Sequence, residues 1–114
     1  MKINKFEDIL VWRKAGELTI ATYKSFAKIK DYSFRDQIQR AAISIMNNIA
    51  EGFERKGNKE LKQFLYFAKG SSGEVRSMLY AAVKLGYISR DDFKSLYKQA
   101  FEISKMLSGF IKTL

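Results

Sequence analysis

The sequence predicts an all-α protein, an antiparallel up-down-up-down four-helix bundle. Three observations predict it: proline is absent from the 114 residues, glycine falls mostly at punctuation points, and apolar residues recur at helical spacing. With 46% hydrophobic and 14% aromatic residues, a chain of this length can bury one core. A single domain over residues 1–114 is expected, and intrinsic disorder is not.

The first helix is expected from about Phe6 to Ala27. Asn4 and Glu7 have capping-box spacing, and Leu10, Ala15 or Gly16, Leu18, Ala21 and Tyr23 give an apolar stripe. "KIKDYS" forms the first connection. Ser33 with Asp36 repeats the capping spacing and opens a second helix through about Glu54, whose apolar face is Ile38, Ala42, Ile45, Ile49 and Phe53. "RKGN" ends it, and Asn58 is the expected cap of a third helix running to about Leu85, with Gly86 as its C-terminal cap. On that helix Leu61, Phe64, Leu65, Ala68, Ser72, Val75, Leu79, Ala82 and Val83 fall within about 120° at 100° per residue, one core-facing surface. Ser89 with Asp92 opens the fourth helix, whose inner face is Phe93, Leu96, Tyr97, Ala100, Leu107, Ile111 and Leu114. Connections of about 3 to 6 residues between long helices make sequential helices antiparallel neighbours.

Composition narrows function. Cysteine and histidine are both absent, which removes disulfides, the thiolate nucleophile, the usual zinc ligands and the usual general base near neutral pH. No catalytic residue, metal site or cofactor is expected. The N-terminal stretch lacks the uninterrupted apolar core of a signal peptide, and no run approaches a membrane span, so a cytoplasmic protein without membrane association is expected. The net charge of +9 comes from 21 basic and 12 acidic residues, spread evenly along the chain. Such a field suits a polyanion, and equally a lysine-rich solubilising surface.

Arg90, Lys94, Lys98, Lys105 and Lys112 span only about 80° of the fourth helix and form a basic ridge. Lys62, Lys69 and Arg76 recur every seventh residue on the third, and Arg13, Lys24 and Lys28 cluster on the first. Ridges of this kind can track a phosphate backbone, or can simply be solvated. The second helix carries a polar seam, Gln37, Arg40, Ser44, Asn48, Glu51 and Arg55, beside its apolar face. Arg40 and Glu51 could be catalytic groups, yet no nucleophile or metal cluster accompanies them. A hydrogen-bonded network at a helix or subunit contact is the better expectation.

"KGSSGE", Lys69 to Glu74, has neither the strand nor the residue order of a phosphate loop. The apolar period set by Leu61, Leu65 and Ala68 continues through Ser72, Val75 and Leu79, so the helix persists. Gly70, Gly73 and Ser77 then share an outward face where a partner helix could come close, a candidate oligomer interface.

"QIQRAAISIMNNIAEGFERKGNKELKQFLYFAKGSSGEV" and the following "LGYI" resemble the four-helix-bundle family of proteins encoded in intervening sequences of bacterial large-subunit ribosomal RNA genes. The pattern falls here on Arg40, Ala41, Ser44, Asn48, Ile49, Ala50, Glu51 and Gly52, then on Ala68, Gly70, Ser71 and Glu74. Glu74 therefore joins the structural polar network. A related branch, the accessory variability proteins of diversity-generating retroelements, is similar in fold. That second resemblance implies a homopentamer and binding to nucleic acid and a reverse transcriptase. Ser72 and Gly73 stand where relatives more often have bulkier apolar residues, which implies a looser core or interface. The resulting expectation is a non-enzymatic, self-associating bundle that offers lysine ridges to RNA or DNA. The competing expectation is an adaptor whose basic surface docks an acidic protein, such as a reverse transcriptase, without touching nucleic acid.

Overall fold

In the computed structural model, which describes residues 3–114, the apolar periods of the sequence become four helices: α1 (Leu10–Phe26), α2 (Tyr32–Glu54), α3 (Asn58–Lys84) and α4 (Arg90–Lys112). Each packs on the next, and α4 closes back onto α1, so the helices run up-down-up-down with α1 diagonal to α3. The molecule measures 43 × 22 × 19 Å. Its length is that of α3, since 27 residues at about 1.5 Å each reach roughly 40 Å.

The inner faces of α3 and α4 are those the period predicts. Leu65, Ala68, Val75, Leu79 and Ala82 are buried against Leu96, Ala100, Leu107 and Ile111, and Ile38, Ala42, Ile45 and Ile49 of α2 complete the core. Phe93 and Tyr97, expected inside, are only half-buried at its margin. Ser72 does not loosen this core. It is fully buried, its hydroxyl donates to the Ala100 carbonyl at 2.8 Å, and it lies 2.7 Å from the Ser104 hydroxyl. Because the single Ser72 proton is already used, Ser104 donates to Ser72, and two polar groups are satisfied across α3 and α4.

The first helix differs from expectation. Phe6–Asp8 form one 3-10 turn, and α1 begins at Leu10 without a side-chain cap, so the Asn4 and Glu7 capping pair does not form. The turn buries Ile9 and sets the Phe6 ring edge-on to Trp12 at 5.1 Å. The stripe is rotated as well: Leu10 is 52% exposed while Val11, Ala15, Leu18, Thr19, Thr22 and Phe26 face inward. Thr19 tolerates burial because its hydroxyl donates to the Ala15 carbonyl one turn back at 2.8 Å, with the Ala42 carbonyl at 3.3 Å.

Two caps also move. Asp31, not Ser33, caps α2 by accepting from the Phe34 amide at 3.1 Å, and its other oxygen accepts from the Tyr87 hydroxyl at 2.7 Å. These two donors hold the Asp31 carboxyl below the ordinary carboxylate range, and Asp31 in turn raises the Tyr87 phenol. Position 31 prevails because it joins both helical hairpins at one end. Gly57 at φ +91°, not Asn58, precedes α3 as its cap, a backbone angle that suits glycine. Ser89 does cap α4, accepting from the Asp92 amide at 3.0 Å. Gly86 at φ +75° ends α3 in a Schellman turn, with Gly86 N–H to Val83 O at 3.2 Å and Tyr87 N–H to Ala82 O at 2.9 Å.

Candidate functional site

The α2 seam faces α3 and opens as a polar groove of ≈ 610 Å³ lined by Gln37, Arg40, Ser44, Ser71 and Glu74. Ser44 and Ser71 hydroxyls meet at 3.0 Å, and the Asn48 amide donates to Ser44 O and Oγ at 2.8 and 3.0 Å. At the solvent end the Gln37 amide donates to Glu74 at 3.4 Å. Thus Ser44, Asn48 and Ser71 form one hydrogen-bonded group across α2 and α3 and Gln37 with Glu74 a separate pair; Ser71 is the partner the spacing did not reveal. Glu51 lies apart: it pairs with Arg55 at 2.9 Å, and Arg55 reaches Glu60 at 3.9 Å and covers the Phe64 ring at 5.1 Å. Arg40 sits exposed in the groove, about 16 Å along the helix from Glu51 at roughly 1.5 Å per residue. The two do not converge on one reacting centre.

Below this network α2 and α3 touch through Gly52. A Cβ there would come 2.7 Å from Phe64 Cβ and 3.2 Å from Leu61 Cδ1. Gly70 and Gly73 are different: a Cβ at Gly70 meets nothing within 4 Å, and one at Gly73 meets only the Arg76 Nη2 at 3.9 Å. Among the described residues no other helix comes within 4 Å of a Cβ at either position. Ser77 is exposed on the same face.

The basic ridges divide into two groups. Arg90, Lys94, Lys98, Lys105 and Lys112 of α4 are all exposed, as are Lys62 and Lys69 of α3. The two helices' ridges meet at Phe101, over whose ring stand Arg76 of α3 at 5.7 Å and Lys105 of α4 at 5.6 Å. Arg76 is half-buried, and its Nε has no acceptor among the described residues. By contrast Arg13 and Lys24 project from α1, diagonal to α3, and Lys28 lies in the turn that follows α1; all three are exposed. They form a separate patch. The ion pairs among the described residues are Lys14 with Glu17, Arg35 with Asp36, and Arg55 with Glu51 and Glu60. None involves a ridge cation.

Between the α3 and α4 ridges runs a row of aromatic rings. Tyr97 stacks on Phe93 at 5.5 Å and on Phe101 at 6.3 Å, with interplanar angles of 28° and 11°. Tyr80 of α3 adjoins Phe93 at 5.2 Å and Tyr97 at 5.3 Å. The neighbouring Tyr80 hydroxyl, and after it the Arg76 guanidinium, hold the Tyr97 phenol below its ordinary value. Sequence reasoning missed the row because Phe93 and Tyr97 fit the inner stripe. Its signal is the spacing of four: each step rotates the ring about 40°, from the core margin at Phe93 to the surface at Phe101.

Comparison with known proteins accords with this architecture. No match is found among curated proteins. A solved structure of a protein of unknown function from the S23 ribosomal protein family of Bacteroides thetaiotaomicron superposes with a TM-score of 0.85 at 26% identity, covering 90% of this chain and 99% of that one. Residues 7–109, nearly the whole bundle and every ridge but Lys112, match the family described as 23S rRNA-intervening sequence protein. Neither description names a reaction. On the sequence match and the shared fold together, the chain belongs to the 23S rRNA-intervening sequence protein family.

Proposed function

We propose that this chain is a non-enzymatic, self-associating bundle that binds the phosphate backbone of RNA or DNA through the joined ridges of α3 and α4. One observation carries the reading: Lys62, Lys69, Arg76, Arg90, Lys94, Lys98, Lys105 and Lys112 have no carboxylate partner among the described residues. Lysines that serve only solubility are commonly interleaved with acids, which lowers the local field. Here Asp91 and Glu102 lie beside the α4 ridge by helical spacing, yet neither pairs with its cations, and the eight basic groups outnumber them. Electrostatic attraction of that kind acts on any polyanion and releases counterions on contact. The Arg13, Lys24 and Lys28 patch is a secondary contact, since it lies on the diagonal of the bundle from α3, where the two ridges meet.

The test is fluorescence anisotropy with labelled single- and double-stranded oligonucleotides from about 25 to 300 mM salt, with a slope near −0.7 to −0.9 per neutralised phosphate. Binding should weaken steeply as salt rises. Replacing Lys94, Lys98, Lys105 and Lys112 with glutamine together should cut affinity by roughly a hundredfold at low salt and flatten the slope, since each phosphate contact contributes its own counterion release. Because all four are exposed, circular dichroism should be unchanged. Absence of binding at 25 mM salt would leave the basic face to an acidic protein partner.

A further inference from the structure

We infer that the aromatic row between α3 and α4 is a stacking platform for the bases of a single-stranded nucleic acid, whose phosphates follow the flanking cations. This rests on the nucleic-acid reading above and names the form of polymer the site selects. The rings are on the surface: Tyr80 is 50% exposed and Phe101 45%. Tyr32, Tyr66 and Phe67 are as exposed, but Tyr80 and Phe101 alone among these five adjoin the stacked rings of α4 and its flanking cations. The α4 rings are also pre-ordered, because Phe93, Tyr97 and Phe101 follow one another at single helical turns and stack on each other, with Tyr80 set against Phe93 and Tyr97. From Phe93 to Phe101 the row runs about 12 Å along the axis. That length accommodates about two or three bases, the number comparable aromatic surfaces stack.

The charge around the row argues for a polyanion. Arg90 and Lys94 border Tyr80 and Phe93 in a hollow of ≈ 270 Å³, and Arg76 and Lys105 stand over Phe101, flexible side chains that turn to the phosphates as a base takes the ring face. The α4 carboxylates, Asp91, Asp92 and Glu102, lie about 120° or more around the helix from Tyr97. Arg76 adds a planar guanidinium that can stack on a base or pair with a phosphate. A duplex keeps its bases stacked inside and could use only the lysines. An unpaired strand uses lysines and rings together.

The experiment compares oligo-rU and oligo-dT with a duplex of equal length, using the full chain and the variants Phe101→Ala, Phe101→Leu, Tyr80→Ala and Lys98→Gln with Lys105→Gln. Single strands of both sugars should bind more tightly than duplex. Each aromatic variant should weaken single-strand binding roughly tenfold, within the range that one base stack contributes, while leaving duplex binding unchanged. Phe101→Leu keeps apolar bulk without a ring, so its loss should match that of Phe101→Ala; the lysine pair should weaken both polymers. Equal binding of duplex and single strand, with aromatic variants at wild-type affinity, overturns the platform while the backbone-binding function stands. Failure of wild type to bind any polymer at low salt overturns both. Aromatic variants that change particle mass in light scattering, with unaltered affinity per chain, would assign the row to self-association instead.

Discussion

Thr22 is the residue at which the core is least satisfied. Its side chain is fully buried on α1, and its hydroxyl has no partner among the described residues, whereas Thr19 three positions earlier has two carbonyls in reach. A buried hydroxyl without a hydrogen bond costs about 1 to 3 kcal/mol. Valine has nearly the same shape and no such cost. Thr22→Val should therefore raise stability by about 1 kcal/mol, read as a higher urea midpoint at unchanged slope; a lower midpoint would mean that the hydroxyl has a partner. Thr19→Val should act in the opposite direction, because it breaks a made bond. The two threonines explain why the α1 stripe was misplaced by the sequence: burial of both is invisible when threonine is counted as polar.

At the scale of elements, the closest helix contact is built on an absent side chain. Gly52 lets α2 approach α3 until a Cβ would stand 2.7 Å from Phe64 Cβ, an atom fixed to the backbone rather than the end of a flexible chain. Gly52→Ala gains helix propensity of roughly 1 kcal/mol and must spread the two helices. Overpacking of a fixed contact typically costs about 1 to 3 kcal/mol. The expected result is a net loss of about 1 kcal/mol, measured by chemical denaturation, together with disturbed Arg55 packing on Phe64; a gain in stability would show that the contact relaxes freely. Element order, the α3 and α4 inner faces, the Ser89 cap and the Gly86 turn were legible because each depends on local spacing. Asp31 and Gly57 were not, since Asp31 prevails through Tyr87, far away in sequence, and Gly57 through a positive φ. The seam was legible on α2, but its Ser71 partner needed the register of α2 against α3. Likewise the basic ridges could be read helix by helix, while their meeting at Phe101 is a property of the packed pair.

For the whole molecule the open question is what covers the outward face of α3. Gly70 and Gly73 would each cost a lone helix about 1 kcal/mol relative to alanine, and neither makes room for another part of the same chain. Close approach by a helix of a second copy gives such glycines a purpose, as Gly52 shows within the chain. We propose that this face joins protomers, with a pentamer as the closed ring. Assembly of +9 chains is opposed by their own charge, so it should strengthen as salt screens that repulsion or as a polyanion neutralises it. The variant Gly70→Leu with Gly73→Leu separates the assembly from the fold. Because a Cβ at either site has space, the isolated chain should keep its helicity and gain roughly 1.5 to 2 kcal/mol of stability from the propensity of the two sites. Only the contact between copies should suffer. Light scattering should then give wild type near five times the 13.2 kDa of one chain, and the double variant near one. A variant that keeps the wild-type mass would remove Gly70, Gly73 and Ser77 from the interface, and a wild type already at one chain's mass would remove self-association from the proposed function.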